Sequence, residues 1–204
     1  MKLLVHICCG PCAVYPLKKI LEGRMDVWGF FYNPNIHPYT EYQKRLAAVK
    51  SLAEKMAIKM IFRDEYNLEE FLRNTIGPET VTQGFSLDNI KPGHKTSFPG
   101  LSYNIKARCS YCYSSRLEAT AKAAKENGFD YFSSSLLYSK YPNHDEIKNI
   151  GDRLTEKYGI PFYYDDFRIG WKQGNKESKE MELYRQKYCG CIFSEKDRYF
   201  LQIL

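Results

Sequence analysis

Apolar residues fall along the chain in short blocks separated by turn residues. Leu3–Ile7 is a nearly continuous apolar run, broken only by His6, and predicts a short buried strand. Gly10-Pro11 turns the chain, and a helix is predicted near Ala13–Leu21, stopped by Gly23, with Pro16 making its first turn irregular. Val27–Tyr32, rich in aromatic residues, predicts a second strand. Thr40 and Gln43 form a capping-box pair, and Leu46, Val49, Leu52, Ala53 and Met56 follow as the stripe of a helix. Lys59–Arg63 suits a third strand, and Asn67 caps a helix carrying Leu68, Phe71 and Leu72 that Gly77 ends. Further on, the pattern predicts a helix over Ser110–Asn127 closed by Gly128 and a strand over Phe129–Ser133. Asn143 and Glu146 open another helix, striped by Ile147, Ile150 and Leu154 and ended by Gly159. A fifth strand follows at Ile160–Tyr164, and a last helix over Glu177–Gln186 delivers the chain to Cys189.

Strands alternating with helices imply an α/β fold, with a mostly parallel sheet covered by helices on both faces. The 204 residues suit one catalytic domain over 1–204. The stretch 78–108 lacks clean periodicity and holds Gly84, Pro92, Gly93, Pro99 and Gly100, so it reads as a long functional loop or small lobe inserted in that domain. In parallel sheets ligands sit beyond the carboxyl ends of the strands. There stand Cys8-Cys9-Gly-Pro-Cys12, Asn33-Pro-Asn35-Ile-His37-Pro, Ser133-Ser134-Ser135 and Asp165-Asp166.

Composition narrows the class. A hydrophobic content of 44% with 26% charged residues excludes a disordered or collagenous chain. No apolar run approaches the ~20 residues of a membrane span. The apolar stretch after Lys2 is too short for a secretion signal, so a cytoplasmic protein with no membrane partner is expected. A net charge of +6 is compatible with a polyanionic partner.

The seven cysteines carry the candidate chemistry. They fall in three tight groups: Cys8, Cys9 and Cys12; Cys109 and Cys112; Cys189 and Cys191. An odd number in clusters reads as metal ligands or redox centres, not as a secreted disulfide framework. Cys109-x-x-Cys112 is expected to open a helix, where the dipole lowers thiol pKa values. Three cysteines within five residues at a strand end are hard to explain as packing. Cys189-Gly190-Cys191 reads as a redox dithiol whose small, strained ring is easily reduced, with a pair of second-metal ligands as the other reading. The spacings match no compact zinc finger. Four thiolates from Cys8, Cys9, Cys109 and Cys112 could hold a [4Fe–4S] cluster, which leaves Cys12 over.

Four ordered motifs then resemble the epoxyqueuosine reductase family of the QueH type: Cys8-Cys9-Gly10-Pro11-Cys12, Cys109-Ser-Tyr-Cys112-Tyr113-x-x-Arg116, Ser133-Ser134-Ser135-Leu136-Leu137 and Gln186-Lys-Tyr188-Cys189-Gly190-Cys191-x-x-Ser194. The resemblance implies a Rossmann-like fold related to nucleotide-hydrolase and tRNA-thiolation enzymes. It implies a non-cobalamin, iron–sulfur oxidoreductase that reduces epoxyqueuosine to queuosine at the tRNA wobble position, fed by an electron-donor protein or reductant. It implies Cys8, Cys9, Cys109 and Cys112 as cluster ligands. Cys12 is then a candidate for a second, mononuclear iron position or for a supporting role behind the cluster ligands, and Cys189 and Cys191 for the catalytic dithiol. Tyr113, His37 and Asp165 are candidate proton donors at the rim.

For the anticodon stem-loop, Lys91, Lys95, Phe98, Tyr103, Lys106 and Arg108 interleave positive charge with aromatic rings, as RNA contact requires. Two other classes compete. An ATP-using tRNA-modifying enzyme needs a Gly-rich phosphate loop after the first strand, where this chain has Cys-Cys-Gly-Pro-Cys. A non-catalytic zinc-binding RNA module would be colourless, whereas an iron–sulfur protein is brown.

Overall fold

The structure, a computed structural model, describes residues 1–76 and 105–200. The element order is β1 (Lys2–His6), α1 (Gly10–Glu22), β2 (Asp26–Phe31), α2 (Tyr39–Met56), β3 (Lys59–Phe62), α3 (Leu68–Thr75), α4 (Ile105–Glu126), β4 (Tyr131–Ser134), α5 (His144–Tyr158), α6 (Trp171–Glu180) and α7 (Ile192–Tyr199). Single 3-10 turns follow β4 at Ser135–Tyr138 and precede α6 at Phe167–Gly170.

The four strands run parallel in the order β3-β2-β1-β4. β1 is central because it is the most uniformly buried: Leu3, Leu4, Val5 and His6 are all completely inaccessible, which requires cover on both faces. Parallel pairing of β1 with both neighbours puts the carboxyl ends of β1, β2 and β4 side by side. The α/β expectation is therefore met. No helix among the described residues is long and apolar enough to cross a membrane.

Several predicted boundaries move. α1 starts at Gly10, not near Ala13, so Cys9 becomes its N-cap and Cys12 lies in its first turn. Pro11 suits that first turn, and Pro16 falls inside a helix that continues past it. Gly10 is required here: a Cβ would stand 3.0 Å from the Ala48 carbonyl oxygen of α2. α4 begins at Ile105, so Cys109 and Cys112 lie past its first turn and do not open it. The dipole argument for those thiols fails, because that field is strong only at the terminus. The expected fifth strand shrinks to one bridge between Phe132 and Phe162, since Pro161 has no N–H with which to extend a ladder. The helix expected over Glu177–Gln186 ends at Glu180, where Glu182 takes a left-handed conformation (φ 52) and the chain runs on irregularly to Cys189. α7, after the last cysteine, had no sequence expectation. α3 ends at Thr75, two residues before Gly77, and Gly77 and most of the 78–108 insertion lie outside the described residues.

The main core packs around β1. A smaller apolar cluster of Phe71, Cys191 and Phe193, with Tyr111 and Leu72 against it, joins α3, α4 and α7 beside the last cysteines.

Candidate metal and redox site

The carboxyl ends of three strands are tied together below the thiols. His6, at the end of β1, is completely buried; its Nδ1 lies 3.0 Å from Ser134 Oγ, and its Nε2 lies 3.2 Å from both the Tyr32 carbonyl and Asn33 Oδ1. Nε2 faces two acceptor oxygens, so the imidazole carries its proton on Nε2 and the Ser134 hydroxyl donates to Nδ1. Burial, assisted by the Arg116 charge, lowers the His6 pKa to about 4 and keeps the ring neutral. Asn33 Nδ2 in turn donates to the Ile7 carbonyl at 2.9 Å. This network fixes the platform from which Cys8 and Cys9 emerge.

Cys8, Cys9 and Cys12 bring their sulfurs within 4.8 Å of one another, a spacing that suits a metal ion. Extended backbone at Cys9 followed at once by the helix swings two adjacent side chains and one from the first turn to one point. Ser135 braces Cys8: its Oγ accepts from the Cys8 N–H at 3.1 Å and donates to the Cys8 sulfur at 3.4 Å. Hydrogen bonds from Cys12 and Cys9 hold the Cys8 thiol well below the usual range. Burial raises Cys9, and the bond to Cys8 raises Cys12. Within the trio the Cys8 thiol is therefore the most acidic of the three. Cys12, expected to stand apart from the cluster ligands, is a full member of this group.

Cys112 is held differently. Arg116, one turn on in α4, donates through Nη2 to the Cys112 sulfur at 2.9 Å and through Nε to the Cys112 carbonyl at 2.8 Å. Burial pushes the Cys112 thiol up to about 12 despite the nearby guanidinium. Arg116 is only 3% exposed, and among the described residues no carboxylate lies within ion-pair distance of it. Burial opposes its charge, yet Cys112, Cys8 and Cys189 together hold it protonated. A buried cation needs a compensating anion. Among the described residues the groups facing it that can carry that charge are cysteine sulfurs, and the thiolate is the state in which cysteine binds soft metals. The donor set therefore fits a thiolate-ligated metal centre.

The CysGlyCys segment is anchored from α2. Arg45 is 2% exposed and pairs through Nε with Glu41 Oε1 at 2.7 Å; its Nη1 and Nη2 donate to the carbonyls of Cys189 and Tyr188 at 2.9 and 3.0 Å. The Gly190 carbonyl accepts from the His37 N–H at 2.7 Å, and the Tyr188 hydroxyl donates to the His37 carbonyl at 2.6 Å. Gly190 has φ 140, which disfavours any side chain. Cys191 caps α7, its sulfur accepting from the Ser194 N–H at 3.4 Å.

Two cavities meet at Cys189. The larger, about 630 Å³, is lined by Cys8, Cys12, Arg116, Gln186 and Cys189, among others. Its wall holds five cationic side chains, Arg45, Arg116, Arg185, Lys187 and Arg198, against the single carboxylate Asp197, and the rings of Tyr138, Tyr141 and Trp171. That volume suits a nucleotide-sized ligand. The smaller, about 160 Å³, is lined by Cys109, Cys112, Cys189 and Cys191 with Asn35, Arg108 and Tyr113. All three cysteine groups thus open onto one continuous region of the carboxyl rim.

The other expected residues scatter. Tyr113 lines the smaller cavity, its hydroxyl accepting from the Asn143 N–H at 3.4 Å. His37 and Asp165 line neither cavity; His37 packs its ring on Phe71, with centroids 4.8 Å apart. Lys91, Lys95, Phe98, Tyr103 and the Lys106 side chain lie outside the described residues. Arg108 is 6% exposed, with its guanidinium over the Phe193 ring and Cys191 and Cys109 nearby, so it faces the thiols and not an open surface. Sequence reasoning assigned no role to Gln186, Arg45, Arg116, Ser135 or His6. Gln186 and Arg116 stood inside quoted motifs, and Glu41 with Arg45 formed a visible i,i+4 charge pair.

Among solved structures, the U34-tRNA thiolase NcsA from Methanococcus maripaludis with its [4Fe-4S] cluster aligns at TM-score 0.39 and 14% identity, over 93% of this chain and 75% of that one. A likeness so loose says nothing about the site. Sequence relatives are nearer. The Epoxyqueuosine reductase QueH of Dehalococcoides mccartyi is 33% identical over 198 residues, spanning 97% of this chain and 94% of the relative. That of Thermotoga maritima is 35% identical over 198 residues, spanning 96% and 91%. The sequence profile described as Epoxyqueuosine reductase QueH matches residues 3–85 and 99–197, which include all seven cysteines. The chain belongs to the epoxyqueuosine reductase QueH family.

Proposed function

We propose that this chain reduces epoxyqueuosine to queuosine at the wobble position of a tRNA, with the epoxide-bearing nucleoside seated in the 630 Å³ cavity. The observation that carries this reading is that Cys8, Cys12 and Cys189 line that one cavity together. Metal thiols and dithiol then face the same bound molecule.

Removing the epoxide oxygen breaks two C–O bonds and forms one C=C bond. It consumes two electrons and two protons and releases water. Cys189 and Cys191 supply that count as a dithiol: each thiol gives one proton and one electron, and a disulfide is left. An external thiol or a low-potential electron-donor protein restores the pair. Gly190 gives the backbone freedom to close a ring between residues two apart.

Cys8, Cys9, Cys109 and Cys112 would hold a [4Fe–4S] cluster, and Cys12, within the same trio, would ligate a second iron. Bound there, such a centre supplies one-electron transfer and an electrophile for oxygen. The chain's own part is to hold those sulfurs in place by hydrogen bonds, from Arg116 to Cys112 and from Ser135 to Cys8. Tyr113 is the one of the three expected proton donors that borders the thiol region.

The RNA enters past the cavity mouth. Tyr141 is 86% exposed there and offers a stacking face, while Lys187 and Arg198 offer phosphate contacts. The run from Lys91 to Arg108 precedes the Cys109 pair in sequence and adds further cationic and aromatic residues.

The test is oxygen-free purification followed by assay on tRNA carrying epoxyqueuosine. Brown protein with iron and acid-labile sulfide, converting that tRNA, is the expected result. A colourless, zinc-only protein with no conversion overturns the reading.

A further inference from the structure

The cations on the wall of the larger cavity differ in how they are held. Arg45 and Arg116 are buried, and their guanidinium groups are spent on Glu41, the Cys189 carbonyl and Cys112. Lys187 and Arg198 are exposed, and no hydrogen bond or ion pair among the described residues fixes their side chains. Arg185 lines the same cavity and is exposed, yet its guanidinium is fixed.

The socket that fixes it belongs to α6. Arg185 Nη1 donates to the Asn175 carbonyl at 3.2 Å and to Ser178 Oγ at 3.0 Å, and Nη2 donates to Asn175 Oδ1 at 2.9 Å. Ser178 is completely buried, and its hydroxyl donates to the Asn175 carbonyl at 3.0 Å. Asn175 Nδ2 donates to the Trp171 carbonyl at 2.9 Å, which leaves its Oδ1 to face the arginine. These contacts use three of the five guanidinium N–H groups. The Nε–H makes no hydrogen bond among the described residues, and with the second Nη2–H it forms one edge of the planar fork.

Every partner of this cation is neutral. The α6 carboxylates Glu177 and Glu180 pair with Lys18 and Lys176, and among the described residues no carboxylate lies within ion-pair distance of Arg185. Ordering a long arginine side chain costs rotamer entropy, and neutral acceptors return little of it. A guanidinium ordered in advance, with one edge free and no anion beside it, is prepared for an anion that arrives with the ligand. A phosphate diester offers two oxygens that match that edge.

We propose that Arg185 grips, through its Nε–Nη2 edge, one of the two backbone phosphates that flank the modified nucleotide, and so positions that nucleotide against the thiols. This rests on the cavity being the nucleoside site. The wall that carries Arg185 also carries Cys8, Cys12 and Cys189, so a nucleotide seated there brings its own phosphate to the fork.

The test is a double-mutant cycle between the arginine and the phosphate. Anticodon stem-loop RNAs carrying epoxyqueuosine are made with natural linkages, or with one neutral methylphosphonate on the 5′ or the 3′ side of that nucleotide. Their affinities are measured for the wild type, Arg185→Gln and Arg185→Lys. One of the two neutral linkages is expected to weaken binding to the wild type about five- to tenfold and to cost Arg185→Gln nothing further. Arg185→Lys, a point charge without a fork, should lose an intermediate amount. The side that couples identifies the phosphate. An arginine that only braces the chain would lower every affinity by one factor and show no coupling. Equal losses in the wild type and Arg185→Gln for both linkages overturn the proposal, as does a wild type indifferent to both. Should Arg185→Gln fail to fold, the lysine arm decides: coupling equal to that of the wild type overturns the two-point grip. A wild type that binds the stem-loop but does not convert epoxyqueuosine tRNA sinks the functional reading alone, and the cycle still judges Arg185.

Discussion

Arg45 Nη1 donates to the carbonyl oxygen of Cys189 at 2.9 Å, joining residues 144 positions apart in sequence. The same guanidinium reaches the Tyr188 carbonyl and pairs with the buried Glu41 carboxylate. A charge pair in the core of α2 thus holds the backbone of the proposed dithiol, leaving its sulfurs to react. Arg45→Ala strands Glu41 in a buried setting and should cost about 3–5 kcal/mol of stability. Arg45→Lys keeps the charge but cannot reach two carbonyls and a carboxylate with one fork. The Lys variant should unfold closer to the wild type by thermal denaturation yet turn over more slowly. Wild-type turnover in that variant would show that the carbonyl grip is dispensable.

Cys109→Ser should lower iron and sulfide content together, because Cys109 and Cys112 border the smaller cavity with the last two cysteines. Cys12→Ser should also lower iron, since its sulfur lies within 4.8 Å of Cys8 and Cys9. Full iron in the first variant would remove Cys109 from the ligand set; full iron in the second would remove Cys12.

Cys189→Ala should keep its metal and lose multiple turnover, because the dithiol that supplies both electrons is gone. The readout is product per enzyme in a burst experiment with excess tRNA. Sustained turnover in the Cys189→Ala, Cys191→Ala double variant would reject the dithiol role.

Gly190→Ala tests the segment from its backbone. At φ 140 a Cβ is strained, and it would approach Arg45 Nη1 to 3.1 Å. A cost of about 1–3 kcal/mol is expected, read as a lower denaturation midpoint. Iron content should stay unchanged, since neither Cys8, Cys9 nor Cys12 depends on that turn. An unaltered midpoint would mean that the loop adapts without strain.

Phosphate contacts at the cavity mouth are tested by salt. Removing Lys187 and Arg198 together should weaken tRNA binding and reduce the slope of log affinity against log salt by about 0.7–0.9 per lost contact. Tyr141→Ala should weaken binding with the slope unchanged, and Tyr141→Phe should restore it, because stacking carries no counterion release. Free epoxyqueuosine should be a poor substrate. Equal rates on nucleoside and tRNA would exclude RNA recognition by this surface.

The alternation of apolar runs and helical stripes was enough to read a parallel α/β sheet, because strand and helix periodicity are local properties of neighbouring residues. Asn67 and Asn143 were legible as helix caps for the same reason: each side chain accepts from the N–H three residues on. The cysteine groups identified the chemistry, since no packing rule places three thiols within five residues. Which sulfurs share a centre was decided only in three dimensions. Extended backbone at Cys9 and the early start of α1 draw Cys12 to Cys8 and Cys9, and the early start of α4 removes Cys109 and Cys112 from the helix terminus. The α1 boundary does not follow from local signals, because Pro11 suits a first turn while Pro16 argues against a helix, and Gly10 meets the Ala48 carbonyl of α2 closely. Arg45, Arg116 and Gln186 were polar residues of no evident role until the fold buried them beside carbonyls and sulfurs from distant segments. Their parts are tertiary by nature: a guanidinium or an amide acquires its function from what it is desolvated against, and that partner lies up to 177 residues away.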